Sequence, residues 1–145
     1  MSELSMTKKE RDDFLAALHV GVLAVERPDG PPLLTPIWYR YAAGGAVEFL
    51  TGKTSEKAKL LERSGHASMC AQREDYPYAY ATVDGPIEIA QADHATRLDI
   101  ATRYLGTAMG TEYVDGSPDA DEVVVRLRPT RWRTTDYSKE DAGEG

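Results

Sequence analysis

Turns constrain this chain more than any other feature of its sequence. Arg27-Pro28-Asp29-Gly30, Gly44-Gly45, Ser64-Gly65 and Asp84-Gly85-Pro86 punctuate its 145 residues at short intervals. Proline presets φ in such turns and glycine supplies positive φ. The runs between turns are short and dense in β-branched, aromatic and small apolar residues. They read as strands at 20–26, 33–41, 46–50, 67–72, 78–83, 87–90, 123–128 and 131–136. Only three helices are expected, and they do not alternate with strands in a βαβ rhythm. Short antiparallel strands of this kind make a mainly β protein, a closed or partly closed barrel with helices at its ends.

Local signals set the element ends. Thr7-Lys8-Lys9-Glu10 has the capping-box pattern, and Phe14, Leu15 and Leu18 follow at helical spacing. A second helix is expected over about 55–63, capped by Thr54 or Ser55, with Ala58 and Leu61 inward. Gly65 ends it. Asp93 caps a third, which carries Leu98, Ile100, Ala101 and Leu105 and stops at Gly106. Pro36 lies inside a strand and cannot donate to a ladder, so that strand sits at an edge or is bulged. Residues 107–121 are expected as a long loop, and 1–6 and 137–145 as disordered ends. With no repeats, 1–145 reads as one domain with an ordered core of about 7–136.

Composition excludes several functions. The net charge of −7 argues against generic nucleic-acid binding, which depends on neutralising phosphates. No apolar run approaches the ~20 residues of a membrane span, and no signal-peptide core precedes the first helix. The single cysteine, Cys70, permits no internal disulfide, and cytoplasm is the expected compartment. His19, His66 and His94 are far apart and lack ligand-spaced partners, so no metal site is expected. Neither a G-x-S-x-G nucleophile motif nor a G-x-G-x-x-G fingerprint occurs. Gly52-Lys53-Thr54 ends like a P-loop, but Val47 stands where its first glycine belongs. Any hard chemistry therefore falls to a bound organic cofactor.

One stretch carries localised chemistry. Thr51 to Leu61 runs from a strand end into a helix and holds two threonines, a serine and three lysines. Free backbone N–H groups and the positive end of the helix dipole make such a start an anion cradle. Residues 53–63 carry four cations against two acids, a local +2 in a chain otherwise at −9. The same spacing suits an ordinary solvated helix start, and spacing alone does not choose. Trp38, Tyr39, Tyr41, Tyr76, Tyr78, Tyr80 and Trp132 are either barrel core, dimer interface or stacking walls for a flat ring.

Taken in order, these segments resemble the flavin/deazaflavin oxidoreductase family, the pyridoxamine 5′-phosphate oxidase-like split barrels. The carriers are Val20-Gly21-Val22-Leu23-Ala24-Val25 with Pro28-Asp29-Gly30, Thr35-Pro36-Ile37-Trp38-Tyr39 and Phe49-Leu50-Thr51-Gly52. Ser55-x-Lys57-Ala58-Lys59-x-Leu61, Val83-x-Gly85-x-Ile87, the run 123–129 and Trp132-Arg133-Thr134-x-Asp136 complete them. The resemblance implies a six-stranded antiparallel Greek-key split β-barrel and a homodimer with the cofactor in the groove between subunits.

It also implies that a cofactor phosphate is held by Ser55, Lys57 and Lys59, with Thr51 and Lys53 nearby. The ring would lie against Thr35, Pro36 and Trp38. The chain looks most like members that use the deazaflavin coenzyme F420, which transfer a hydride from the reduced cofactor to an unsaturated small-molecule acceptor. No residue is implied as catalytic. Glu56 and Leu60 depart from the pattern, which counts against FMN and against pyridoxamine-phosphate oxidase activity. FMN on the same fold is the alternative cofactor, and a non-catalytic dimer binding a cofactor or porphyrin-type ligand the alternative function.

Overall fold

In the computed structural model, which describes residues 3–117 and 121–142, the Thr7 side chain caps helix α1 (Lys8–Ala16). Its oxygen accepts from the Glu10 backbone N–H while the Glu10 carboxylate accepts from that of Thr7, so two orphan donors are satisfied reciprocally. Helix α2 (Glu56–Ser64) begins at Ser55, whose Oγ accepts from the Ala58 N–H at 3.1 Å. It ends at Gly65, where φ is +74°, a conformation that costs glycine little. Asp93 caps α3 (His94–Leu105) through the Thr96 N–H at 2.7 Å.

The strands are β1 (Gly21–Val25), β2 (Leu33–Ile37), β3 (Tyr39–Tyr41), β4 (Val47–Gly52), β5 (His66–Arg73), β6 (Ala79–Gln91), β7 (Glu122–Leu127) and β8 (Arg131–Asp136). They pair antiparallel in the order β2-β1-β5-β6-β7-β4-β3, with β8 also on β6. The two ends of that order, β2 and β3, are separated in the chain by Trp38 alone. The sheet therefore curls until its edges meet at Trp38, giving the split barrel. Pro36 sits on edge strand β2, where its missing N–H does not interrupt an interior ladder.

Alternation fills the interior. Val47, Phe49 and Thr51 of β4 and Val123, Val125 and Leu127 of β7 are buried, as are Leu23, Val25, Tyr39, Met69 and Val83. Leu61 seats α2 on this core, and Leu15 seats α1. Each such aliphatic side chain contributes roughly 1.5–3 kcal/mol. Two tyrosines pin α1: the Tyr39 hydroxyl donates to the Leu15 carbonyl at 2.8 Å, and that of Tyr41 to Asp12 Oδ1 at 2.7 Å. The Tyr41 bond holds the Asp12 carboxyl below its ordinary range. Burial, then that same bond, pushes Tyr41 up to about 12.

The outward face of β3, β4 and β7 carries an ion ladder that receives α3. Glu48 accepts from Arg40 Nε at 2.9 Å and from Arg126 Nε at 2.7 Å. Arg40 Nη1 reaches Asp99 of α3 at 2.8 Å.

Four expectations change. Asp84-Gly85-Pro86 does not break a strand, because β6 runs unbroken through it. A Cβ at Gly85 would lie 1.8 Å from the Arg128 carbonyl oxygen, so glycine permits a close crossing as β6 passes from β5 and β8 to β7. The 33–41 strand divides at Trp38 into β2 and β3. Within the predicted loop lies helix α4 (Thr107–Asp115), which has no side-chain cap. It is held by packing, since a Cβ at Gly110 would stand 2.7–2.9 Å from Thr102 of α3. Parts of both predicted ends are also ordered. Met6 is buried, the Leu4 carbonyl accepts from the Asp136 N–H at 2.8 Å, and α5 (Ser138–Ala142) follows β8. Residues 1, 2, 118–120 and 143–145, parts of those predicted ends and loop, lie outside the described residues.

Candidate functional site

Trp38 lies at the barrel seam and faces a cavity of ≈ 370 Å³. Its neighbours there are Pro36 and Ile37 of β2, Val20, and Leu50 on the outward face of β4. Helices α3 and α4 supply Arg97, Ile100, Ala101, Tyr113 and Val114, and β7 supplies Glu122. Lys57, from the first turn of α2, completes the lining.

The walls are fixed in different ways. Trp38 stacks on Tyr104, with centroids 4.9 Å apart and planes 5° from parallel. The Tyr104 hydroxyl is itself held: it donates to the His19 carbonyl at 2.6 Å and accepts from the Tyr39 N–H at 3.0 Å. Burial raises its pKa. Arg97 is only 7% exposed. Its Nε donates to Glu122 Oε1 at 2.8 Å, and its Nη2 to the carbonyl and hydroxyl oxygens of Ser117 at 2.7 and 3.1 Å. One guanidinium thus joins the start of α3, the chain just beyond α4 and the start of β7.

Lys57 differs from these groups. It is half-buried and, among the described residues, forms no ion pair or side-chain hydrogen bond. Desolvation lowers its pKa, so an anion in the cavity would restore stabilisation that burial removes. Beside it, the Thr51 and Ser55 hydroxyls lie 3.0 Å apart and bond to each other.

The structure therefore divides the eight predicted residues. Pro36, Trp38 and Lys57 line one cavity. Thr51 and Ser55 sit together at the start of α2, Thr51 buried and Ser55 capping the helix. Thr35 is half-buried on β2, and its hydroxyl donates to the Pro36 carbonyl at 3.3 Å. Lys53 and Lys59 are exposed and do not line the cavity. Glu56 turns to Arg27 at 3.5 Å. Of the undivided aromatics, Tyr39 and Tyr41 are core, Trp132 is half-buried at 6.1 Å edge-on to Tyr41, and Tyr76 and Tyr78 are exposed.

The helical wall was missed. Arg97, Ile100 and Ala101 stand at i, i+3 and i+4, so a cation on an apolar helical stripe was the available signal. Tyr113 and Val114 were hidden by the reading of their segment as a loop. Among the described residues there is no cluster of three or more metal-ligating side chains. No helix there is long and apolar enough to cross a membrane.

The chemistry that remains is a cavity walled by Val20, Pro36, Ile37, Trp38 and Leu50, with an internally neutralised Arg97–Glu122 pair and one unpaired cation among the described residues. These residues fit a flat ring system bearing an anionic group.

Comparison with known proteins places this geometry. Over 97% of this chain and 91% of the other, it is 28% identical to the conserved hypothetical protein Rv2991 from Mycobacterium tuberculosis, with a TM-score of 0.82. An F420 reductase structure is 26% identical over 84% of this chain and 94% of its own, with a TM-score of 0.69. An FAD-binding protein from Mesorhizobium loti, 19% identical over 90% and 93% with a TM-score of 0.65, shares the fold. No curated protein matches the sequence closely enough to be informative. The pattern of the pyridoxamine 5′-phosphate oxidase family matches residues 7–136, nearly the whole chain, and the protein belongs to that family.

Proposed function

We propose that this protein is an F420-dependent oxidoreductase that passes a hydride from the reduced deazaflavin to an unsaturated small-molecule acceptor. The observation that carries the reading is Lys57, an unpaired half-buried cation in the same cavity as Pro36 and Trp38. The similarity to an F420 reductase at 26% identity supports it.

In this reading the ring would lie against Pro36 and Trp38, with Thr35 behind them on the other face of β2, and the stack of Trp38 on Tyr104 would hold that wall in place. Lys57 meets the phosphate, and the N–H groups of the first turn of α2 add to its field. The Thr51 and Ser55 hydroxyls, which bond to each other at 3.0 Å, would be the nearby hydroxyl donors to phosphate oxygens. Lys53 and Lys59, exposed on either side, steer an anionic cofactor and its acidic tail toward the site. Bound deazaflavin supplies the hydride, so the chain needs no nucleophile. Its residues bind, orient and exclude water.

A cofactor larger than this cavity would extend beyond its lining residues. A second copy of the chain completes the groove. The exposed face of β1 and β2 suits that role: Val22 stands opposite Pro36 and Cys70 in register, and Ala24 opposite Leu34. Leu34, Val22 and Val20 are exposed apolar side chains there.

The test is a fluorescence titration of the purified protein with F420 and with FMN in parallel. F420 is expected to bind at least tenfold more tightly. Preference for FMN would end the F420 assignment.

A further inference from the structure

We propose that the protein has a second ligand site, between α1, β8 and the N-terminal segment, and that it takes a small organic oxyanion: a carboxylate or phosphate monoester with an apolar body. The inference does not rest on the F420 reading.

Three observations carry it. First, a cavity of ≈ 370 Å³ lies there, equal in volume to the candidate cofactor site, and the two share no lining residue. Its walls are Ser5 and Met6, Arg11 of α1, Tyr80 of β6 and residues 132–135 of β8. They are fixed before any ligand arrives. The Leu4 carbonyl accepts from the Asp136 N–H at 2.8 Å, and Thr134 Oγ1 accepts from the Met6 N–H at 2.9 Å. These bonds tie the N-terminal segment to β8, and a preformed wall lowers the ordering cost of binding.

Second, the lining charge has one sign and is unspent. Arg11 and Arg133 line the cavity, and among the described residues no carboxylate does. Neither guanidinium forms an ion pair or a hydrogen bond among those residues. Arg40, Arg97 and Arg126, by contrast, all bond to carboxylates. Asp12, next to Arg11 in sequence, is taken by Tyr41 at 2.7 Å and Lys8 at 3.4 Å. The Arg11 Nε is buried and has no acceptor. A buried donor left unmade is costly, and an oxyanion is the acceptor a guanidinium bonds most strongly. Two free cations in one cavity favour an anion over a cation.

Third, apolar surface lies beside the charge. The Arg11 guanidinium carbon stands 4.6 Å from the Trp132 ring centroid. That cation–π contact holds the guanidinium in place and leaves its N–H groups uncommitted. Trp132 is half-buried and edge-on to Tyr41, and Met6 and the half-buried Tyr80 continue the lining. Inorganic phosphate would leave this surface unused, and the volume falls within the range of small-molecule sites.

Trp132 makes the site its own reporter. The chain has two tryptophans, and Trp38→Phe leaves Trp132 alone. In that background the protein is titrated, by Trp132 fluorescence and by calorimetry, with four probes. These are phenyl phosphate, 3-phenylpropionate, inorganic phosphate and phenethylammonium. One or both of the two organic anions is expected to bind at least tenfold more tightly than inorganic phosphate and the cation. The tighter of the two identifies the oxyanion. Adding Arg11→Gln or Arg133→Gln is expected to weaken that anion at least tenfold. Adding Lys57→Ala is expected to leave its affinity within twofold, which separates this cavity from the cofactor site. Arg133 is exposed, so its variant reports even if Arg11→Gln does not fold.

No binding of either organic anion, or equal affinity for inorganic phosphate or for the cation, would overturn the inference. So would unchanged affinity in Arg133→Gln or a tenfold loss in Lys57→Ala. F420 affinity of Arg133→Gln alone is expected within twofold of the unaltered protein, and a tenfold loss would overturn the inference by assigning the arginine to the cofactor. Failure of the unaltered protein to bind F420 would remove the cofactor reading and leave this one standing.

Discussion

Replacing Arg97 by methionine isolates the joint on which the helical wall of the site depends. Methionine keeps most of the aliphatic bulk and removes the guanidinium. Three hydrogen bonds go with it: one to Glu122 at 2.8 Å and two to Ser117 at 2.7 and 3.1 Å. Removing one partner of a buried ion pair costs about 3–5 kcal/mol, chiefly because the other charge is left uncompensated. The Glu122 side chain is 24% exposed and can partly rehydrate, which places the loss near the lower end, at about 3 kcal/mol. For a chain of this size each kcal/mol moves the melting temperature by roughly 2–4 °C, so a fall of roughly 10 °C is expected.

Urea unfolding of Arg97→Met, Glu122→Gln and the double variant measures the pair directly. Their coupling energy should exceed about 1 kcal/mol. F420 affinity should weaken as well, because Ser117 and the end of α4 lose their anchor. Additive single losses, or a melting temperature within 2 °C of the unaltered protein, would refute the reasoning.

Two further outcomes are expected. Gly85→Ala places a Cβ against the Arg128 carbonyl oxygen, where it has no room. A loss of at least about 3 kcal/mol in denaturant unfolding is expected, the top of the usual range for overpacking, and a loss below 1 kcal/mol would count against the close crossing of β6. Glu10 is held down to about 2 by its bond to Lys139 and then by the Thr7 backbone N–H, against an ordinary 4.5. A depressed folded-state pKa means that its stabilisation is present above pH 4.5 and is lost as pH falls toward 2. NMR titration of the Glu10 carboxyl checks this, and a midpoint near 4.5 would refute it.

The barrel was legible because strands announce themselves through pattern and turns through residue chemistry. Thr7, Ser55, Asp93 and Gly65 act at the helix ends where their side chains or φ place them. Asp84-Gly85-Pro86 misled because glycine serves both turns and close strand crossings, and only the position of the Arg128 carbonyl decides between them. Helix α4 was illegible for a similar reason. Gly110 within it and Gly106 and Gly116 at its ends argue against a helix locally, and it exists because Gly110 lets it lie on Thr102. Lys57 and Trp38 were named from the sequence, but their meeting in one cavity depends on β2 and β3 closing the barrel at Trp38. Helical spacing puts Lys57 four residues before the inward-facing Leu61 and Lys59 on the opposite face, so that distinction was available in the sequence, whereas the cavity Lys57 meets was not.

The most direct test of the cofactor site is the affinity of Lys57→Ala for F420, measured by fluorescence titration beside the unaltered protein and Lys59→Ala. Lys57 lines the cavity and Lys59 does not. The expected result is a loss of at least tenfold for Lys57→Ala, about 1.4 kcal/mol, with a smaller, salt-sensitive loss for Lys59→Ala. Unchanged affinity in Lys57→Ala would contradict the assignment of the cofactor phosphate to the start of α2.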